Sequence, residues 1–507
     1  MNFIQRIKNI IGNMKKIPNW WFSLPIVILA INLIVRIIDQ SKLLYIYPLD
    51  FTNDLSSYMG RLFFLTKCGF HNFCPYWYNG FISFKNFSLG WSLFTLPLFW
   101  LTDSIIAATF ISIILMYLVS FIFLYILGKT QRLSLMAIIA FFFFFFGNAI
   151  TVGNFLRLGR TVSMWGFVLV IGLASLVLYY KNHPLDKKFS LYFIPLYAII
   201  LFSHQPEMLF SQILVLGLFL VKKTKEKVQI VASAIAGFLL ASFWVIPFLQ
   251  ESLKVSMFEW IDRSIEWPSA GPFFLTNLAG IIIPLVLFGS FYFYWKTHNK
   301  SKKELLFFAP ILLTGMLSLF GLTKFLYLFR NISPDPYLTF FIFIIIFYFL
   351  KTKFENVRMR NLAFVLVSIV CIVSVVITQV HTPLFTEHGP LEKEVISIFP
   401  FVEGKYTMIS DKNVTSYSKA YYTYAAVYHN LSTAGGWYPH MASKDYLEEY
   451  NSMFSFYNKK DCKNFTEKLN RLNIDEVIFY GTECGAINTC GLKEKKILDN
   501  VCLYEVS

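Results

Sequence analysis

Charge is what this chain has least of. Only 15% of its 507 residues are Asp, Glu, Lys or Arg, against about a quarter in a soluble globular protein. Hydrophobic residues make up 56% and aromatic residues 19%, and the mean hydropathy is +0.55. These values exclude an ordinary soluble chain and imply a polytopic membrane protein with moderate soluble parts. Acidic residues are scarcest, 30 against 45 basic, for a formal net charge of +15. Such an excess could mark a nucleic-acid binder, but the basic residues lie in short clusters between apolar runs. These are Lys15-Lys16, Lys187-Lys188, Lys222 to Lys227, Lys300 to Lys303 and Lys351 to Arg360. That is the positive-inside pattern of cytoplasmic loops, so the expected partner is membrane lipid and not nucleic acid. No cleavable signal peptide is apparent, and the first apolar run reads as a retained anchor behind a basic, Trp-flanked segment. No internal repeat is obvious.

A bilayer core takes roughly 20 apolar residues per helix. The candidate spans are Trp20–Ile38, Ser104–Leu127, Leu133–Ile150, Val162–Tyr180, Phe189–Ser203, Met208–Val221, Val228–Phe248, Leu278–Trp295, Leu305–Leu322, Tyr337–Leu350 and Leu362–Val380, about eleven in all. With the N-terminus in the cytoplasm, this count places residues 381–507 on the extracytoplasmic side of a multi-pass cell-membrane protein. The stretch from Phe189 to Val221 has lysines at both ends. It is too long for one crossing, so a tight hairpin is expected with "SHQPE" (Ser203–Glu207) at its tip, where Pro206 breaks the helix. The expected fold is therefore a polytopic α-helical membrane domain over 1–380, whose first outer loop covers 39–103, followed by an α/β domain over 381–507. Within the latter, Leu391–Ile398, Asp445–Phe456 and Lys463–Leu472 read as helices. Lys405–Ile409, Asp475–Tyr480 and Val501–Val506 read as strands.

Cysteine is also sparse, seven in total, with only Cys371 inside a span. Cys68, Cys74, Cys462, Cys484, Cys490 and Cys502 all fall outside on this topology. An even set on an oxidising side suits disulfides. Cys68–Cys74 would close a small loop, and the pairing of the other four is open. Their spacing lacks the paired C-x-x-C of a zinc site, the rival reading.

In so apolar a chain the few outer-face ionisable groups are the candidate chemistry. Asp50, Asp54 and Arg61 follow the first span. If 54–61 is helical, Asp54 and Arg61 share a face about two turns apart. A carboxylate pinned above a hydrophobic groove is what a reaction on a lipid-linked substrate needs as a base. "GNFLRLGR" brings Arg157 and Arg160, "HQPE" brings His204 and Glu207, and "LFRNISPDP" brings Arg330 to the same side. Arginine forks suit phosphate oxygens. Plainer roles compete: snorkelling for the arginines, helix capping for Asp54 and His204, a turn for Asp50, a structural pair for Glu207, and local pairing of Arg36 with Asp39. "GGWYPH" (Gly435–His440) is read as an aromatic loop that covers the site or, by preference, packs on the membrane.

The stretch "NDLSSYMGRLFFLTKCGF…YWYNGFISFKNFSLGWSLFTLPLFWL" resembles the first outer loop of the GT-C superfamily of membrane glycosyltransferases. It is most similar to the prokaryotic membrane proteins labelled "6-pyruvoyl-tetrahydropterin synthase-related". Asn53-Asp54, Ser57-Tyr58, Arg61, Trp77, Gly80, Phe84 and Phe87 follow that family's order. Asn53 stands where the family has glycine, and Tyr58 where it has histidine. The resemblance implies transfer of a sugar from a polyprenyl-phosphate-linked donor to a protein, glycan or lipid acceptor on the extracytoplasmic face, with inversion. Asp54 would be the general base, Arg157, Arg160 and Arg330 would bind the donor phosphate, and His204, Glu207 and Tyr58 would position substrate. A divalent cation, Mg or Mn, is the cofactor the superfamily suggests. The alternatives are a non-catalytic envelope scaffold and a lipid or solute transporter. Nearly uncharged spans disfavour the transporter, because a transport path places polar groups at the bilayer midplane.

Overall fold

The computed structural model describes Trp21, residues 23–49, 54–148, Thr151, and residues 159–254, 274–322, 334–352, 357–381, 387–410, 418–485 and 490–506. Of the candidate residues, Asp50, Arg157 and Arg330 lie outside this set. A backbone in hydrocarbon must satisfy its own hydrogen bonds, so the apolar runs fold as helices. The first two helices are α1 (Leu24–Gln40) and α2 (Leu55–Cys68), the latter in the loop expected to be the first outer one, and α3 (Gly90–Thr102) follows them. Then come α4 (Ile105–Thr130), α5 (Leu135–Phe146), α6 (Thr161–Asn182), α7 (Lys187–Phe202), α8 (Gln205–Val221) and α9 (Thr224–Lys254). The last apolar helices are α10 (Phe274–Thr297), α11 (Lys302–Leu319), α12 (Pro334–Lys351) and α13 (Val357–His381). Among the described residues, 6 helices are long and apolar enough to cross a bilayer: Leu24–Leu44, Ile105–Thr130, Thr161–Asn182, Thr224–Glu251, Leu278–Thr297 and Val357–Val376. The expected hairpin takes the form of α7 and α8 joined through Ser203 and His204.

Two chemically different ends result. Helix α6 is almost wholly buried by its neighbours, and its 22 residues span about 33 Å at 1.5 Å per residue. Its last turn carries Lys181, whose Nζ donates to both carboxylate oxygens of Glu304 at 2.8 Å. Tyr294 donates to the same carboxylate at 3.0 Å. At this end too, Lys222 Nζ donates to the His183 carbonyl at 2.6 Å, and Lys351 Nζ to the Gln131 carbonyl at 2.9 Å. The basic loops thus converge on the end of the bundle remote from Arg160, which precedes α6.

At the Arg160 end, the outer loop is consolidated by aromatic packing. Trp77 and Trp91 are fully buried. Phe64 meets Tyr76 and Trp77 with ring centroids 5.4 and 4.7 Å apart. Helix α2 stops at Gly69, whose φ of 72° is the left-handed conformation glycine adopts without steric cost. The Cys68–Cys74 disulfide then ties the helix end to a two-strand antiparallel ladder, β1 (Phe73–Cys74) with β2 (Phe81–Ile82).

The C-terminal segment forms a four-stranded sheet of order β3-β4-β6-β5, made of β3 (Tyr406–Ser410), β4 (Glu476–Tyr480), β5 (Lys493–Leu498) and β6 (Val501–Glu505). Strands β3 and β4 are parallel and buried throughout, with Tyr406 opposite Glu476. A parallel pair needs a crossover, supplied by helices α15 (Ser418–His429), α16 (Lys444–Asn458) and α17 (Cys462–Arg471). They follow α14 (Pro390–Ile398) in the chain. The edge strand β5, KEKKIL, is largely exposed, and its lysines guard it against edge-to-edge pairing. The four cysteines of the C-terminal segment pair as Cys462–Cys490 and Cys484–Cys502, which settles their connectivity against the zinc alternative. Helix α15 and strand β5 carry no clear sequence signal, since a Tyr- and Ala-rich stretch and a run of lysines show little periodicity.

Candidate active site

Asp54 immediately precedes α2, in the N-cap position, yet its side chain makes no capping hydrogen bond. The capping role expected of it is replaced by contacts across the fold. Arg160 Nε lies 3.6 Å from Asp54 Oδ2, and Arg160 Nη1 lies 3.2 Å from Asp335 Oδ2. Arg160 thus bridges two carboxylates instead of snorkelling to lipid, and the bridge joins the outer loop, the start of α6 and the start of α12. Nothing in "LFRNISPDP" marks Asp335 as a site residue, because between two prolines it resembles an ordinary helix start.

The Asp54 side chain keeps 32% of its surface accessible, and protein crowds the carboxylate on its other sides. That burial raises its pKa above the usual carboxylate range; Arg160, Arg61, a hydrogen bond from Trp437 and Lys419 pull it partly back, in that order. The result is a carboxylate more basic than a free one, which suits a proton acceptor.

The loop Gly435–His440 is part of this site, which overturns the expectation that it packs on the membrane. Trp437 reaches Asp54. Tyr438 OH lies 2.5 Å from Ser57 Oγ, which itself donates to the Asp54 carbonyl at 2.6 Å. Burial pushes the Tyr438 phenol up to about 12, so it stays protonated and donates. The loop is held from below. Tyr78 N donates to Gly435 O at 3.1 Å and Tyr78 OH to Gly436 O at 2.9 Å. A side chain at residue 436 would stand 2.6 Å from Tyr78 and 2.9 Å from Trp77, so only glycine permits this approach.

Arg61 is 9% exposed and lies among aromatic rings, its guanidinium 4.2 Å from the Tyr438 centroid, 4.9 Å from Phe87 and 5.0 Å from Tyr58. Tyr58 is buried between Arg61 and Trp91, so its place in the site is as packing beside the cation. Asp39 pairs with Lys42 at 3.2 Å, one turn along.

His204 sits in the N-cap position of α8, again without a side-chain cap. Its Nδ1 lies 2.7 Å from Glu207 Oε2 and 3.2 Å from Ser163 Oγ. Glu207 is fully buried against Gly166, where any side chain would collide with it. Both hydrogen bonds that the imidazole makes among the described residues use Nδ1, which leaves Nε2 for another partner, and 32% of the side chain is accessible. Two buried polar atoms nearby, Glu207 Oε1 and Thr161 Oγ1, have no hydrogen-bond partner among the described residues. A narrow cleft beside Arg160 is lined by Gln40, Leu55, Ile113, Gly159, Thr161 and Met164. Among the described residues, no group of three or more His, Cys, Asp or Glu is placed to hold a metal ion.

No protein-family model matches the chain, and no curated protein matches it. The narrower family resemblance drawn from the outer loop therefore receives no support. Solved structures do match. One is the oligosaccharyltransferase of Archaeoglobus fulgidus in the apo form, with a TM-score of 0.60 and 13% identity, covering 91% of this chain and 70% of that one. Another is the archaeal oligosaccharyltransferase AglB from Archaeoglobus fulgidus in complex with an inhibitory peptide and a dolichol-phosphate. Its TM-score is 0.56 at 10% identity, over 89% of this chain and 69% of that one. At such identity the likeness establishes the fold alone: the chain folds like these two oligosaccharyltransferases.

Proposed function

We propose that the protein is a GT-C-type glycosyltransferase that moves a sugar from a polyprenyl-phosphate-linked donor to an acceptor on the extracytoplasmic face. The observation that carries this reading is the meeting of Asp54, Arg160 and Asp335 at the end of the bundle remote from the basic loops. A neighbour of the same fold was solved with a dolichol-phosphate, and a donor of that lipid-phosphate class suits this site. Arg160 would take the donor phosphate, helped by Arg157 and Arg330. Its hold on Asp54 then loosens, and the carboxylate is free to accept a proton.

Asp54 removes the proton of the acceptor hydroxyl as that oxygen bonds to the anomeric carbon. The bond from carbon to phosphate oxygen breaks on the opposite face, its electron pair leaving with polyprenyl phosphate, so the anomeric configuration inverts. A positioned base supplies roughly 10²–10⁴-fold, and the guanidinium stabilises the charge growing on the leaving phosphate. His204, oriented by Glu207, directs Nε2 at the sugar. Asp54, His204 and Glu207 do not make a Mg or Mn site as they stand, because His204 and Glu207 hold each other and Asp54 holds Arg160.

The test incubates purified full-length protein in lipid nanodiscs with a panel of polyprenyl-phosphate sugars, with and without chelator, and assays released polyprenyl phosphate. Release by the wild type, slowed at least about a hundredfold in Asp54→Asn, is the expected result. Equal rates in the two proteins would remove Asp54 from the chemistry. No release with any donor would leave the scaffold alternative standing.

A further inference from the structure

Two cations beside Asp54 have no carboxylate of their own. Arg61 is 9% exposed, its Nε has no partner, and no acidic group lies within ion-pair distance of it among the described residues. Lys419 opens α15, the helix that lies along α2. One turn further on, the methyl of Thr423 stands 2.6 Å from where a side chain at Gly60 would begin, so α15 and α2 touch at the turn that carries Arg61. Lys419 is half-buried, and it too has no ion pair among the described residues. Three other enclosed cations are matched: Lys181 by Glu304, Arg160 by Asp54 and Asp335, and Lys495 by Glu403 and Glu476.

Enclosing a charge without a counter-charge is unfavourable unless a ligand supplies one. The faces of Tyr58, Phe87 and Tyr438 compensate part of the Arg61 charge and fix its plane. Asp54, whose ionisation both cations favour, is the carboxylate they share with Arg160. An incoming anion would complete the balance and release Asp54 from that role.

We propose that Arg61 and Lys419 form an anion subsite beside Asp54, on the side built by the C-terminal segment, for a phosphate or carboxylate group of the acceptor. Assigning the anion to the acceptor rests on reading Asp54 as the base and Arg160 as the holder of the donor phosphate. The binding of an anion does not. The acceptor class implied is an acidic one, whose reacting hydroxyl lies close enough to its charge for both to reach adjacent groups on one helix face.

Thermal unfolding of the full-length protein in nanodiscs, without donor and at constant ionic strength, reads the subsite directly. The probes are inorganic phosphate, acetate and neutral acetamide. A ligand that binds only the folded state raises the melting temperature with its concentration. Phosphate or acetate should do so saturably and acetamide should not. Arg61→Met and Lys419→Met should each weaken the anion roughly tenfold, the share of one charge-assisted hydrogen bond, whereas Arg160→Met should leave it within about threefold. Should Arg61→Met fail to fold, the partly accessible Lys419→Met carries the test. Saturating polyprenyl phosphate should leave phosphate affinity unchanged. The subsite does not exist if both Met variants bind like the wild type. It belongs to the donor if Arg160→Met alone abolishes binding or polyprenyl phosphate competes. Neither measurement uses turnover, so the subsite can fail while Asp54→Asn still stops transfer.

Discussion

Arg160 Nε lies 3.6 Å from Asp54 Oδ2, and this is the contact that keeps a crowded carboxylate ionisable. Burial raises the Asp54 pKa, and Arg160 is the largest of the opposing influences. A base works only when deprotonated, so the acid limb of the rate profile tracks this pKa. Arg160→Met should move that limb to higher pH, and Arg160→Lys should move it less. The pH dependence of kcat/KM checks this; a limb that stays put or moves down would mean Asp54 is not the titrating base.

Activity and stability should part company at Asp54. Its folded pKa is above the ordinary 3.8, so between those two values the folded chain holds a proton the unfolded chain has lost. Stability therefore falls as pH rises through that interval. Asp54→Asn removes the group responsible. At neutral pH the variant should melt at or above the wild-type temperature, and the difference should fade as pH falls to the ordinary carboxylate range. Transfer should meanwhile drop by roughly 10²–10⁴-fold. Paired thermal melts at two pH values and a transfer assay decide it.

Much of this site could be read from charge alone, because an ionisable residue in an apolar chain is conspicuous. Asp54, Arg160, His204 and Glu207 stood out that way, and the structure brings Asp54 to Arg160 and His204 to Glu207. Asp335 is not legible in the same way, since nothing local separates a site carboxylate from a helix-start aspartate. Lys419, Trp437 and Tyr438 were beyond reach for another reason. Their contacts with α2 cross more than 350 residues of chain, as the Ser57–Tyr438 bond does with a separation of 381, and a polar, Tyr-rich segment gives no periodic hint of which face will dock. The apolar runs were legible as helices because a backbone in hydrocarbon must bond to itself, but of the eleven spans expected, six helices among the described residues are long and apolar enough to cross a bilayer.

Gly436→Ala should damage catalysis more than folding. The added methyl would stand 2.6 Å from the Tyr78 ring and 2.9 Å from Trp77, both buried. The rings cannot retreat, so the loop must lift, carrying Trp437 and Tyr438 away from Asp54 and Arg61. A displacement near 1 Å costs on the order of 10²-fold in rate. Transfer should fall by that order while the protein still purifies as a folded membrane protein. Near-wild-type transfer in Gly436→Ala would show that the loop is not part of the working site.

The far end of α6 provides a control for all of these. Lys181 and Glu304 are paired at 2.8 Å with side chains 2% and 10% exposed, and the lysine also lies 5.1 Å from the Phe307 ring. Removing one partner leaves the other charge enclosed, at a cost of about 3–5 kcal/mol, whereas replacing both with apolar groups of similar size is often close to neutral. Lys181→Met or Glu304→Gln alone should therefore lower the melting temperature steeply, and the Lys181→Met/Glu304→Met double variant should recover most of the loss. Some twenty residues of helix separate Lys181 from Arg160, about 30 Å, so the folded fraction of each variant should transfer sugar at the wild-type rate. A double variant no more stable than the singles would mean that the pair stabilises the bundle in its own right. A change in kcat per folded molecule would mean that the two ends of α6 are coupled.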